Sequence, residues 1–133
     1  MINGNSKKGF TLIELVLVII TLGLIAVSAL PVFLKYSTQV EHVIRDASLS
    51  AVRSGILYKK SANGASFSLT ELDNLPDSAV CSEKALCFSS VLPLGVSYDS
   101  WTKVNSTTYT FNDGSNLFTY KYNSSDGAFA LSK

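Results

Sequence analysis

The chain is 133 residues long, the length of one domain, and 47% of it is hydrophobic while only 16% is charged, against roughly 25% charged in ordinary soluble domains. Its net charge is +1, and removing Lys7 and Lys8 from the 11 basic residues leaves 9 against 10 acidic ones. Lys59–Lys60 is then the one adjacent basic pair, which excludes the electrostatic footprint of a nucleic-acid-binding domain.

The charge deficit is local. From Leu15 to Leu34 there are twenty residues without a charge, interrupted only by Thr21, Gly23, Ser28 and Pro31. At ~1.5 Å per residue such a helix is roughly 30 Å long, the thickness of a bilayer's hydrocarbon core, so residues 10–34 read as a transmembrane helix. Lys7 and Lys8 precede the run and no basic residue follows until Lys35, which predicts a cytoplasmic N-terminus and an exported C-terminal part. Tyr36 beside Lys35 suits the outer interface. A secretory signal peptide cut near Val27-Ser28-Ala29 would have a shorter apolar stretch and no use for Glu14. A plain membrane anchor leaves Glu14 and the abrupt Gly9–Phe10 boundary unexplained.

Glu14 is the informative residue. A dry, ionised carboxylate costs several kcal/mol unless paired. Cutting the chain after Gly9 would create an ammonium on Phe10, four residues before Glu14, able to neutralise the carboxylate of a neighbouring helix and set its register. Pro31 removes one helical donor and leaves the Val27 carbonyl without its usual partner, so Gly23 and Pro31 mark where this helix can bend.

Lys7-Lys8-Gly9-Phe10-Thr11-Leu12-Ile13-Glu14, followed by the long apolar run with Pro31 inside it, resembles the type IV prepilin family, which includes the pseudopilins of type II secretion. The likeness covers about the first quarter to third of the chain. It implies an α+β fold, with a long N-terminal helix, membrane-spanning in its first half, packed on a small antiparallel sheet. It implies a leader of residues 1–9, cleavage between Gly9 and Phe10 by a prepilin peptidase, N-methylation of Phe10, and assembly through Phe10 and Glu14. The implied partners are that peptidase, other pilin subunits, the inner membrane and the pilus assembly platform. The implied location is the inner membrane before assembly and a surface pilus or periplasmic pseudopilus after it. Helix extensibility between Gly23 and Pro31 is also an implication of the family.

Residues 35–60 continue the helix. Val40, Ile44, Ala47, Ala51, Gly55 and Tyr58 form one stripe and Leu49, Val52 and Ile56 a second, on a different side. Glu41 and Arg45, four apart, are placed to pair. Lys59, Lys60 and Asn63-Gly64 mark the helix end. Residues 61–100 read as a connector, in which Ser68-Leu69-Thr70-Glu71 has the form of a capping box and predicts a short helix ending before Pro76.

Cys81 and Cys87, in an oxidising compartment, are read as a disulfide. Inside a regular helix their Cα atoms would stand about 9 Å apart, beyond the ~7 Å limit, so a bonded pair requires a turn or irregular loop. Two cysteines and the distant His42 do not make a metal ligand set, and His42 reads as a solvated or interfacial side chain.

Residues 101–133 read as a three-stranded antiparallel meander with Trp101 at its entry. Tyr109 and Phe111, then Phe118, Tyr120 and Tyr122, then Phe129 and Leu131 alternate with polar neighbours, separated by Asn112-Asp113-Gly114-Ser115-Asn116 and Ser124-Ser125-Asp126-Gly127. The aromatic face is expected to pack on the exported half of the helix. The two Asp-Gly turns read as ordinary hairpin turns in preference to a calcium loop. Asn105-Ser106-Thr107 and Asn123-Ser124-Ser125 fit the glycosylation pattern and are assigned nothing.

No nucleophile elbow, phosphate loop or metal-binding helix is present, so the chain reads as a structural subunit and not an enzyme, with no cofactor and no metal. The residues leave three alternatives open: a pilus subunit for adhesion, motility or DNA uptake, a pseudopilin, or a solitary anchored binding domain. Many type IVa major pilins close a loop near the C-terminus with their disulfide, whereas here the cysteines are mid-domain. That departure keeps a minor pilin, or an adhesive pilus of the mannose-sensitive haemagglutinin type, within the reading.

Overall fold

The computed structural model describes Gly4 and residues 8–132. Lys7 and most of the expected leader, together with Lys133, lie outside the described residues. The chain divides into an N-terminal unit up to Ser37 and a C-terminal unit from Thr38. Helix α1, Leu12–Asn63, contributes its residues 12–37 to the first unit and 38–63 to the second.

In the N-terminal unit the apolar side chains from Phe10 to Tyr36 are all exposed. Nothing in the unit covers them, because a lone helix has no second element against which to bury a face. The two hydroxyls inside its uncharged run are satisfied internally. Thr21 Oγ1 donates to the carbonyls of Leu17 (3.0 Å) and Val18 (2.9 Å), and Ser28 Oγ donates to that of Leu24 (3.0 Å). Helical assignment continues through Gly23 and Pro31. This is the one helix among the described residues that is long and apolar enough to cross a membrane.

The C-terminal unit is helix and sheet. Strands β1 (Trp101–Asn105), β2 (Thr108–Asn112), β3 (Leu117–Asn123) and β4 (Ala128–Leu131) form an antiparallel sheet in the order β1-β2-β3-β4. The register pairs Trp101 with Phe111, Tyr109 with Tyr120 and Tyr122 with Phe129, so the aromatics share one face. That face and Leu49, Val52 and Ile56 of α1 form a single core, joined by Leu72, Phe88, Val91 and the two cysteines. Trp101 sits at its centre, its ring centroid 5.1–5.5 Å from those of Phe111, Phe88 and Tyr120.

The α+β arrangement of a long N-terminal apolar helix and a small antiparallel sheet is thus present. The sheet has four strands instead of the expected three. Trp101 opens a true strand, in which Trp101 and Lys103 face the core and Val104 faces out. A lysine in a core position breaks the apolar alternation by which strands are read, which is why β1 was not legible.

Two local expectations are corrected. No helix begins at Ser68: residues 67–75 contain no helical turn. Leu72 and Asp73 are fully buried there, and the Leu69 carbonyl accepts the Tyr122 hydroxyl at 2.7 Å, contacts that draw the backbone into an irregular path. Glu41 does not take up Arg45. Its carboxylate accepts Tyr98 Oη (2.9 Å) and Ser100 Oγ (3.2 Å), while Arg45 pairs with Asp46 (3.0 Å) and lies over the Phe118 ring (4.5 Å).

The two helix stripes also separate. Leu49, Val52 and Ile56 are buried against the sheet. Of the other stripe, Ile44 and Ala51 are half-buried, and a Cβ on Gly55 would meet the Val91 carbonyl. Val40, Ala47 and Tyr58 remain exposed, as do Val43 and Leu57 beside them.

Candidate functional site

The site begins where α1 begins. Gly9 and Phe10 precede the helix, outside regular structure, and Phe10 is 90% exposed. The Gly9–Phe10 peptide bond thus lies ahead of the helix, beside an uncovered side chain. Thr11 and Glu14 close the helix end on each other. The Thr11 backbone N–H donates to Glu14 Oε2 at 2.8 Å, the Thr11 hydroxyl donates to the same oxygen at 3.1 Å, and the Glu14 N–H donates to Thr11 Oγ1 at 3.3 Å. This is a reciprocal capping box, which satisfies donors that every helix N-terminus leaves without an intrahelical partner. Glu14 therefore has local partners in the uncut chain, which sequence reasoning did not give it.

The signal was available. Thr11-Leu12-Ile13-Glu14 and Ser68-Leu69-Thr70-Glu71 both have the spacing of a capping box. Only the first is followed by an unbroken helical run; the second meets Pro76 within a few residues, and Glu71 approaches Lys103 Nζ at 3.5 Å instead.

Cys81 and Cys87 are bonded, with Cα atoms 5.4 Å apart, and both are fully buried. The bridged stretch is a turn, as its spacing requires: Ser82 and Ala85 exchange backbone hydrogen bonds of 2.9 and 3.1 Å. The Cys81 N–H donates to the Trp101 carbonyl, and Cys87 exchanges two bonds with Val96, so the disulfide ties the connector to the edge of the sheet at β1.

Sequence reasoning missed the polar centre of the C-terminal unit. Lys103 Nζ, 1% exposed, donates to Asp73 Oδ1 at 2.9 Å and to the Leu75 carbonyl at 2.8 Å. The fully buried Asp73 carboxylate also accepts Tyr109 Oη (2.8 Å) and the N–H groups of Phe88 (3.0 Å) and Leu75 (3.1 Å). Burial, and then the Asp73 carboxylate beside it, hold the Tyr109 hydroxyl proton far above its ordinary range. Every partner of the pair is engaged, which is the condition for a buried ion pair to be tolerated. The arrangement fastens the connector to β1 and β2. The backbone of Phe88 sits at φ 59°, a left-handed conformation costly for a bulky residue, held by its N–H bond to Asp73 and by ring contacts with Trp101, Tyr109 and Phe129.

The two Asp-Gly turns use their carboxylates on their own backbone. Asp113 Oδ1 accepts the N–H groups of Asn116 (2.6 Å) and Ser115 (2.8 Å), which hold its carboxyl below the usual range. Asp126 Oδ1 accepts the Ala128 N–H at 2.8 Å. His42 is half-exposed, 3.7 Å from Asp113 Oδ2 and edge-on to Phe118. Among the described residues no three His, Cys, Asp or Glu side chains are grouped to hold a metal ion.

Compared with protein-family models, with curated proteins and with solved structures, the chain finds no match in any of the three.

Proposed function

We propose that this chain is the precursor of a type IV pilus subunit, cut after Gly9 and assembled through the first half of α1. The observation that carries the reading is the junction at residues 9–14. An accessible Gly9–Phe10 bond, a helix closed by Thr11 and Glu14, and an uncovered apolar helix follow one another without a break. Uncovered apolar side chains from Phe10 to Tyr36 are stable in only two settings, lipid or a bundle of like helices, and a subunit that moves from one to the other uses both. In lipid, the internal bonds of Thr21 and Ser28 remove the cost of their hydroxyls. In a bundle, the ammonium freed on Phe10 competes with Thr11 for the Glu14 carboxylate of a neighbour, and such an exchange would set the axial register.

A pseudopilus subunit is the second reading. It is consistent with the mid-chain place of the disulfide, which closes a turn of the connector and ties it to β1, as are a minor pilin and an adhesive pilus.

The test is intact-mass spectrometry of filaments sheared from the cell surface, with the membrane fraction alongside. A chain beginning at N-methylated Phe10 and dominating the filaments is the expected result. A processed chain confined to the membrane would favour the pseudopilus. A Gly9–Phe10 bond left uncut in cells that contain the peptidase would overturn both and leave an anchored binding domain.

A further inference from the structure

Three Asx–Gly steps occur among the described residues: Asn63–Gly64, Asp113–Gly114 and Asp126–Gly127. Such steps are chemically weak. A glycine nitrogen, with no Cβ beside it, can attack the preceding side-chain carbonyl and close a five-membered imide. Whether that happens depends on whether the attacking nitrogen and the side chain are tied down.

At two of the three they are. Gly114 N donates to Asn112 Oδ1 at 2.9 Å, and Asp113 is committed to Ser115 and Asn116. Gly127 N donates to the Asn123 carbonyl at 2.8 Å, Asp126 holds the Ala128 N–H, and a Cβ on Gly127 would stand 3.0 Å from Ile56 Cγ2. Both carboxylates are also poor electrophiles when ionised.

Asn63–Gly64 differs in the freedom of its side chain and in its surroundings, its glycine nitrogen being held only by the last turn of α1. Asn63 is the last residue of α1, is exposed, and its carboxamide makes no capping bond to the turn that follows. Gly64 is exposed at φ 53°, and a Cβ there would meet no atom of any residue beyond its immediate neighbours in the chain. Turning the Asn63 backbone toward attack requires opening only the last helical turn, the part of a helix that frays first.

We propose that Asn63 is a site of spontaneous deamidation and isoaspartate formation in the folded protein. Gly64 N bonds to Asn63 Cγ, the Cγ–Nδ2 bond breaks, and ammonia leaves with the Gly64 amide proton. Water then opens the imide. Attack at Cγ gives aspartate, and attack at the main-chain carbonyl gives isoaspartate, with the backbone rerouted through Cβ. The net change is amide plus water to acid plus ammonia. Either product places a negative charge at the C-terminal end of α1, where the helix dipole disfavours it, and isoaspartate lengthens the backbone at the step from helix to connector.

The test incubates the full chain, in detergent, at mildly alkaline pH and follows each asparagine by peptide mapping with isoaspartate detection. Asn63 should convert well ahead of Asn105, Asn112, Asn116 and Asn123, with isoaspartate as the main product. Asn63→Gln should abolish the modification while leaving the thermal transition in place, and Asn63→Asp should reproduce the charge without the isoaspartate. Conversion at Asn63 no faster than at those four asparagines, in a chain whose thermal transition is intact, would overturn the inference.

Discussion

The residues of α1 up to Ser37 and those from Thr38 onward belong to one helix but obey different physics. In the first stretch apolar side chains are uncovered, Thr21 and Ser28 bond to carbonyls of the helix itself, and Glu14 bonds to the N-cap Thr11. In the second, Leu49, Val52 and Ile56 are buried against a sheet, and Glu41 finds partners far away in sequence, as Asp73 and Lys103 do elsewhere in the same unit. The first stretch takes its stability from what surrounds the chain, the second from the chain. If the first half of α1 assembles as proposed, substitutions there should act through assembly, and those in the C-terminal unit through folding.

The largest expected effect is in the C-terminal unit. Lys103→Met strands the buried Asp73 carboxylate and should cost about 3–5 kcal/mol, read as a fall in denaturation midpoint. Leu24→Ala should leave that midpoint unchanged, since Leu24 is exposed in the other unit. Equal losses from the two would break the comparison. Gly55→Ala places a Cβ 2.5 Å from the Val91 carbonyl oxygen, so α1 or the loop must shift; a loss of roughly 1–3 kcal/mol should appear in chemical denaturation. A gain in stability would mean that the loop yields freely.

Replacing Cys81 and Cys87 together by serine or alanine opens a ring with a sequence separation of 6. The chain-entropy relation puts the loss at roughly 2 kcal/mol, measurable as a lower thermal midpoint that reductant no longer changes. Thr11→Ala removes the cap of the first unit. About 1 kcal/mol of local helix stability should be lost, seen as faster amide exchange at residues 12–15 with the thermal midpoint of the C-terminal unit unmoved.

The smallest effect is on acid stability. The Asn116 and Ser115 N–H groups lower the Asp113 pKa, so its contribution is complete above the unfolded value of about 3.9 and is lost as pH falls through the folded one. Asp113→Asn should therefore lie below the wild type in thermal midpoint near neutral pH and converge with it in acid. A gap that stays constant would assign the stabilisation to the shape of the turn and not to its charge.

How far the sequence could be read follows from the range of the interactions. A helix is a local structure, so the apolar run, Pro31 and the second stripe at Leu49, Val52 and Ile56 were readable from spacing alone. The aromatic alternation of β2 to β4 was readable for the same reason, and so was the disulfide, whose separation forbids a helix between Cys81 and Cys87. At the N-terminus, Gly9, Phe10 and Glu14 stood out by type and position, although the bond between Glu14 and Thr11 was overlooked in favour of an identical spacing at Ser68.

What failed was decided at long range. Lys103 is 30 residues from Asp73, and no local pattern says that a lysine will face the core. That one inward side chain concealed β1, and with Asp73 and Tyr109 it holds in an irregular path the stretch where a helix was expected from Ser68. Glu41 likewise chose Tyr98, 57 residues away, over the neighbouring Arg45. The sequence by itself determined where the apolar helix lies and which residues make the aromatic face of the sheet. Only the tertiary structure decided which polar groups are buried, because a charge enters a core only when its partners are brought there by the fold.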